Sequence, residues 1–156
     1  MTTSRAAIGL GSNLGDSLAI VRAALGRLAD VGQVVARSAL YHSAPWGVTD
    51  QPPFVNAAAL VDTALAPHDL LAALQRIEAE AGRVRTYRWG PRVLDLDILT
   101  YGELAVDAPD LVIPHPRLAE RAFVLVPLAE IDARFVALRD ALPPGERAQV
   151  VEVAPQ

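Results

Sequence analysis

The sequence predicts an α+β fold of ferredoxin-like topology, in which a mainly antiparallel sheet is covered by helices. Hydrophobic residues recur with strand and helix periods in the order strand, helix, strand, strand, helix, strand. Glycine- or proline-containing turns separate these segments. This order is typical of the ferredoxin-like βαββαβ arrangement, and a further helical segment is expected after it.

Each predicted element has a local signal. Asn13 or Asp16 is a suitable cap for the first helix, Pro67 occupies a first helical turn, and Gly82 ends the second helix. Pro127 is expected to interrupt or reset the last helix because it lacks a backbone N–H. The predicted strands are 5–10, 34–42, 54–63, 93–101 and a short edge strand at 149–153, the predicted helices are 16–30, 67–82 and 119–131, and residues 43–53, 83–92 and 111–117 are predicted connections.

The composition indicates one folded domain over residues 1–156. Hydrophobic residues make up 52% of the 156-residue chain and charged residues 21%, which provides enough apolar material for a core. The net charge of −4 argues against a non-specific nucleic-acid binder. The chain has no cysteine, which excludes disulfides and thiolate chemistry. All 14 basic residues are arginine, which excludes a lysine-dependent P-loop.

No secretory signal and no membrane-spanning segment are expected. The N-terminal segment lacks a basic region followed by a long apolar run, and no stretch approaches about 18 apolar residues. We therefore expect a cytoplasmic monomer that acts on small molecules without a membrane or nucleic-acid partner.

Two aspartates interrupt the apolar strand predicted at 93–101. Asp95 and Asp97 share one face, roughly 7 Å apart, while Leu94, Leu96 and Ile98 share the other face and can enter the core. Two carboxylates at this spacing repel each other, and magnesium is commonly held by such a pair together with substrate phosphates. An exposed acidic face, or salt bridges to nearby arginines, would explain the same pattern.

Four arginines precede this strand in a loop that also contains glycine and proline. Guanidinium groups bind phosphate oxygens in a bidentate manner, and a loop can close such groups over a substrate. A solvated basic loop paired with the aspartates is the alternative interpretation. Carboxylates that bind a cation, next to guanidinium groups that bind an anion, would suit a metal-bound polyphosphate. The four residues are Arg83, Arg85, Arg88 and Arg92.

His115 stands between Pro114 and Pro116, which restrict its backbone. A lone histidine is more often structural than catalytic. The rigid surroundings and the nearby Arg117 and Arg121 favour a phosphate ligand or an acid.

Aromatic side chains are few and two of them fall in predicted loops. Trp46 and Trp89 lack a packing reason there and, near a polar group such as Asn56, could enclose a flat heterocycle. For Phe54 and Phe123, core packing is the simpler interpretation of the sequence alone. The glycines of GLGSNLGD do not have dinucleotide-binding spacing and indicate a tight strand-to-helix turn.

These residues leave three hypotheses open. A magnesium- and nucleotide-dependent transferase would use the aspartates and the arginines together. A nucleotide-sugar glycosyltransferase would use the DLD motif, although its chains are typically longer. A non-enzymatic ligand-sensing module would use the charges only for salt bridges.

Four stretches occur in an order that resembles the 6-hydroxymethyl-7,8-dihydropterin pyrophosphokinase family of folate biosynthesis. They are GLGSNLGD at 9–16, YHSAPWGVTDQPPFVNAA at 41–58, GRVRTYRWGPRVLDLDIL at 82–99 and IPHPRLAERAFVLVPLAEI at 113–131. The resemblance implies transfer of pyrophosphate from ATP to the pterin hydroxymethyl group, with release of AMP. It also implies that two magnesium ions bridge the ATP phosphates.

The resemblance assigns a role to individual positions of this sequence. The implied catalytic residues are Arg83, Arg92, Asp95, Asp97 and His115, and the two aspartates are the implied metal ligands. The implied ATP-binding residues are Arg83, Arg85, Arg88, Arg92, Ile98, Leu111, Ile113, His115 and Arg121. The implied pterin-binding residues are Ser43, Ala44, Trp46, Phe54, Asn56, Trp89 and Phe123.

Overall fold

The computed structural model of the chain describes residues 2–43, 53–81 and 93–153. The described strands are β1 (Ser4–Ser12), β2 (Gln33–Arg37), β3 (Tyr41–Ser43), β4 (Phe54–Thr63), β5 (Asp95–Tyr101), β6 (Val106–Ala108), β7 (Leu111–Ile113) and β8 (Val151–Glu152). The described α-helices are α1 (Ser17–Arg27), α2 (Pro67–Glu80), α3 (Ala122–Ile131), α4 (Val136–Ala141) and α5 (Pro144–Ala148).

Six of these strands form one antiparallel sheet. Its order is β5-β1-β4-β3-β8, and β2 also pairs with β4, on the same side as β3. If β2 and β3 are taken as one interrupted strand, the first five strands have the ferredoxin-like arrangement, with β1 and β4 in the centre. The predicted fold class is confirmed. Strands β6 and β7 form a separate hairpin.

The sheet is covered on both faces because its central strands are apolar on both sides. Helices α1 and α2 pack on one face, where Ile8 of β1 and Val61 of β4 are fully buried. Helix α3 and residues that follow it pack on the other face, against Ala7 and Leu60. The acidic face of β5 belongs to this second side, since Leu99 lies in the same cluster.

The prediction of one continuous strand at 34–42 is wrong, because the structure has two shorter strands there, β2 and β3. Val34 and Ala36 were expected on one face but pack on opposite faces, since the β2–β4 register shifts between them. A second irregularity follows at Ser38, whose Oγ accepts the N–H of Ala58 at 2.9 Å and so replaces a regular ladder hydrogen bond.

Of the two caps predicted for α1, the structure uses Asp16, whose Oδ1 accepts the N–H of Ala19 at 3.3 Å. Other details differ from the sequence prediction. Helix α3 continues through Pro127, which is buried within it. The connection expected at 111–117 contains strand β7, and helices α4 and α5 were not predicted.

Candidate active site

The aspartates of β5 lie opposite glycines of β1. Asp95 pairs with Gly11 and Asp97 with Gly9, and both carboxylates are partly exposed while Leu96 between them is buried. The alternation predicted for this strand is therefore confirmed at these three residues. Because glycine has no side chain, side chains of the neighbouring strands pack closely over β1 on this face.

Gly11 also joins the acidic strand to a polar group on the other side. It pairs with Asn56 of β4, which in turn pairs with Tyr41 of β3. Asp95, Gly11 and Asn56 thus form one row across three strands, with the outer two backbones roughly 10 Å apart. A Cβ built at Gly11 would lie 3.2 Å from Nδ2 of Asn56 and 3.7 Å from Cδ1 of Phe54.

The backbone of His115 is fixed by a β-bulge in β5. The β1–β5 register shifts so that Leu99 is the extra residue, and its carbonyl oxygen accepts the N–H of His115 at 2.9 Å. The N–H of Arg117 donates to Nδ1 of His115 at 3.2 Å. In the neutral ring the proton is therefore on Nε2, which becomes the donor nitrogen.

Electrostatic interactions connect His115 and Arg121 to the aspartates. Burial lowers the pKa of His115, the nearby Arg121 lowers it further, and Asp95 opposes both effects. Burial also lowers the pKa of Arg121, against the attraction of Asp97 and Asp95. These four side chains therefore form one electrostatically coupled cluster next to the start of α3, where Arg121 precedes the first helical residue.

The aromatic residues lie beside this cluster. Phe54 is the first residue of β4 and pairs with Ser43 of β3. The Oγ of Ser43 donates a hydrogen bond to Oδ1 of Asn56. Phe123 lies in the first turn of α3, and the guanidinium carbon of Arg121 is 5.4 Å from the centre of its ring. Both phenylalanines are partly exposed, so neither is a fully buried core residue.

Three apolar residues of the predicted ATP site are also brought together, but in the core. Ile98, Leu111 and Ile113 are 4%, 8% and 2% exposed, in the cluster between the sheet and α1 and α2. Their side chains thus lie on the opposite side of β5 from the carboxylates. The hairpin that carries two of them is joined to α2 by His68 and Asp110, whose Nε2 and Oδ1 atoms are 3.0 Å apart.

The remaining predicted site residues lie outside the described residues. The structure therefore does not test their placement. They are Ala44, Trp46, Arg83, Arg85, Arg88, Trp89 and Arg92.

Glu78 of α2 supports the site but was not predicted from the sequence. Glu78 is 3% exposed, and its Oε2 accepts the N–H of Leu96, between the two aspartates, at 2.7 Å. A buried carboxylate of this kind supports the backbone of the outermost strand of the sheet. The signal was present in the sequence, because position 78 continues the apolar stripe of Leu70, Leu74 and Ile77.

The fold and the site define an α+β enzyme in which acidic, basic and aromatic side chains meet at one end of an antiparallel sheet. The model of the 7,8-dihydro-6-hydroxymethylpterin-pyrophosphokinase (HPPK) family matches residues 7–133. The chain belongs to this family, as the resemblance in the sequence indicated.

Individual relatives agree with this assignment. A 2-amino-4-hydroxy-6-hydroxymethyldihydropteridine pyrophosphokinase of Methylorubrum extorquens is 55% identical over 89% of this chain and 92% of its own length. The Pseudomonas aeruginosa protein of the same name is 54% identical over 81% of this chain and 80% of its own length.

A solved structure shares the fold at much lower identity. A Plasmodium falciparum HPPK-DHPS triple mutant, solved with STZ-DHP, has a TM-score of 0.72 at 15% identity. The match covers 89% of this chain and 43% of that one, so this chain spans less than half of the solved protein. At this identity the similarity shows the fold alone.

Proposed function

We propose that the chain transfers pyrophosphate from ATP to the hydroxymethyl group of 6-hydroxymethyl-7,8-dihydropterin, and that the described cluster is where the reaction occurs. As a member of the HPPK family, the chain is a pyrophosphokinase of folate biosynthesis with ATP as a substrate. The row Asp95–Gly11–Asn56 carries the proposal for the site. In this row, the carboxylate proposed to bind the cation and the amide proposed to bind the pterin lie on one face, on either side of a residue without a side chain.

Asp95 and Asp97 fit magnesium as ligands. Magnesium is bound in proteins by one or two carboxylates and completes its octahedral shell with phosphate oxygens and water. Among the described residues there is no group of three or more acidic or histidine side chains that could hold a metal ion. Two bound ions would neutralise the charge of the triphosphate during transfer.

The basic side chains of the cluster are proposed to bind the phosphates. Neutral His115 would donate from Nε2 to a phosphate oxygen, and Arg121 would add a guanidinium group next to the aspartates. Arg83 and Arg92 would bind the same phosphates. Arg85 and Arg88 are proposed to close over them. The backbones of Ile98, Leu111 and Ile113 are proposed to flank the adenine, since their side chains face the core.

The pterin is proposed to stack between Phe54 and Phe123. Asn56 would read its polar edge, because its Oδ1 is already fixed by Ser43 and the orientation of the amide is therefore determined. Ser43, Ala44, Trp46 and Trp89 are proposed as the other residues that line this site.

Transfer of this kind depends mainly on alignment and charge neutralisation. The hydroxymethyl oxygen would attack the β-phosphorus of ATP while AMP leaves on the opposite side. The row across β5, β1 and β4 would hold the two substrates next to each other, and Arg121 would stabilise the charge that develops on the transferred group.

We propose a single domain over residues 1–156 that acts as a cytoplasmic monomer without nucleic acid or membrane. In the part of the chain that the structure describes, no helix has the length and apolar character needed to cross a membrane.

Product analysis tests the proposed function. With ATP, the hydroxymethyl pterin and magnesium, we expect AMP and the pterin diphosphate in equal amounts, and no AMP when the pterin or magnesium is left out. Formation of ADP in place of AMP would contradict the proposal. Turnover of a sugar nucleotide without pterin binding would favour a glycosyltransferase.

A further inference from the structure

Tyr41 makes a contact where strand β3 meets helix α3. It is 8% exposed, and its hydroxyl donates a hydrogen bond to Oε1 of Glu130 on α3. The same carboxylate accepts the N–H of Ala39, at 3.2 Å from Oε1 and 3.1 Å from Oε2. Burial, followed by Glu130, raises the pKa of Tyr41, so the phenol stays a protonated donor at neutral pH.

This contact connects the two walls of the proposed pterin site. Tyr41 pairs with Asn56, so both side chains lie on the face covered by α3. Ser43 follows two residues later and pairs with Phe54. The opposite wall, Phe123, is carried by the first turn of α3. Glu130 therefore joins the helix that carries one wall to the strand next to the other wall.

We propose that Tyr41 and Glu130 are positioning residues for the pterin, whose hydrogen bond keeps α3 at the correct distance from β3 and β4. A flat ring makes optimal contact with both walls only when they are roughly 7–8 Å apart. A displacement of α3 by a few tenths of an ångström would loosen both stacking contacts. Neither residue needs to touch the substrate, and this inference rests on the proposed pterin site.

The Tyr41→Phe variant removes only the hydroxyl group. We expect the Kd of the pterin to rise about fivefold, which is equivalent to the net free energy of about one hydrogen bond. The Kd of magnesium-ATP should change less than twofold. Glu130→Gln keeps an acceptor oxygen for Tyr41 and should stay near the wild type. Glu130 is the exposed residue of the pair. Glu130→Ala removes the same contact and should raise the pterin Kd as Tyr41→Phe does.

Tyr101 provides a matched control for the loss of a buried tyrosine hydroxyl. It is also 8% exposed, and its hydroxyl donates to the carbonyl oxygen of Leu65. It pairs with Ala6, five residues and about 17 Å along β1 from Gly11. Tyr101→Phe should lower the Tm by about as much as Tyr41→Phe does, but it should leave the pterin Kd unchanged.

The outcomes separate this inference from the proposed function. An unchanged pterin Kd in both Tyr41→Phe and Glu130→Ala would overturn the inference. An equal rise of the pterin Kd in Tyr101→Phe would also overturn it, because the effect would then come from a general loss of stability. If Tyr41→Phe does not fold, Glu130→Ala and Glu130→Gln decide the question. If the wild-type chain releases no AMP with ATP and the pterin, the proposed function itself fails.

Discussion

Gly11 separates the proposed metal site from the proposed pterin site, and Gly11→Ala tests both assignments. The backbone at this position does not have a positive φ, so alanine is not strained there. Its Cβ would lie 3.2 Å from Nδ2 of Asn56, closer than an ordinary contact of 3.4 Å or more. The amide cannot easily move, because Asn56 is 4% exposed and Ser43 fixes its Oδ1.

The methyl group should therefore displace the amide that is proposed to read the pterin by a few tenths of an ångström. We expect the Kd of the pterin to rise about tenfold, which corresponds to about 1.4 kcal/mol, with the Kd of magnesium-ATP within twofold of the wild type. Calorimetric titration with each substrate, together with urea unfolding, measures both effects. A folded Gly11→Ala variant with unchanged pterin affinity would refute the assignment of Asn56.

Gly26 of α1 offers the matched control. No described atom outside the helix backbone lies within 4 Å of a Cβ built there. Gly26→Ala should therefore leave both substrate affinities unchanged. It should raise the free energy of unfolding by about 0.5–1 kcal/mol, since alanine is the better helix former.

Three further predictions follow from the described residues. Asp95→Asn and Asp97→Asn should each lower kcat by about 100-fold or more and remove magnesium-dependent ATP binding without a change in the circular dichroism spectrum; wild-type turnover in both would exclude the metal site. The pKa of His115 in the folded protein is lowered from its ordinary value of 6.5. Between the folded and the unfolded pKa, the unfolded chain therefore binds more protons than the folded one. The metal-free protein consequently loses part of its stability as pH falls below about 6.5. Urea unfolding of His115→Gln near pH 5.5 and 7.5 should show a smaller pH dependence than the wild type, and an identical dependence would contradict the burial of this ring. Gly32→Ala puts a Cβ 2.3 Å from a carbonyl oxygen of β4 and should lower the free energy of unfolding by about 1–3 kcal/mol or more, whereas Gly145→Ala, with open space around it, should not.

The fold class could be predicted because hydrophobic periodicity and turn residues are local signals. The strand at 54–63 and the helix that begins at Pro67 were predicted with little error for this reason. The division between β2 and β3 could not be predicted, because it depends on the hydrogen bond between the Ser38 side chain and the N–H of Ala58, a residue distant in sequence.

The candidate site shows the same division between local and distant information. Alternation predicted that Asp95 and Asp97 share a face, and the resemblance to the family predicted which residues would accompany them. The supporting contacts of Glu78 with β5 and of Leu99 with His115 were not predicted, since each joins segments that are not adjacent in the sequence.

The sequence by itself determined the ferredoxin-like order of strands and helices as far as β5, the acidic face of β5 and the membership of the HPPK family. Only the tertiary structure decided that Gly11 lies between Asp95 and Asn56, that a bulge at Leu99 holds His115, and that Glu130 joins α3 to β3. The physical reason is that period and composition act over a few neighbouring residues. Register, bulges and contacts between side chains depend on which distant strand or helix packs alongside.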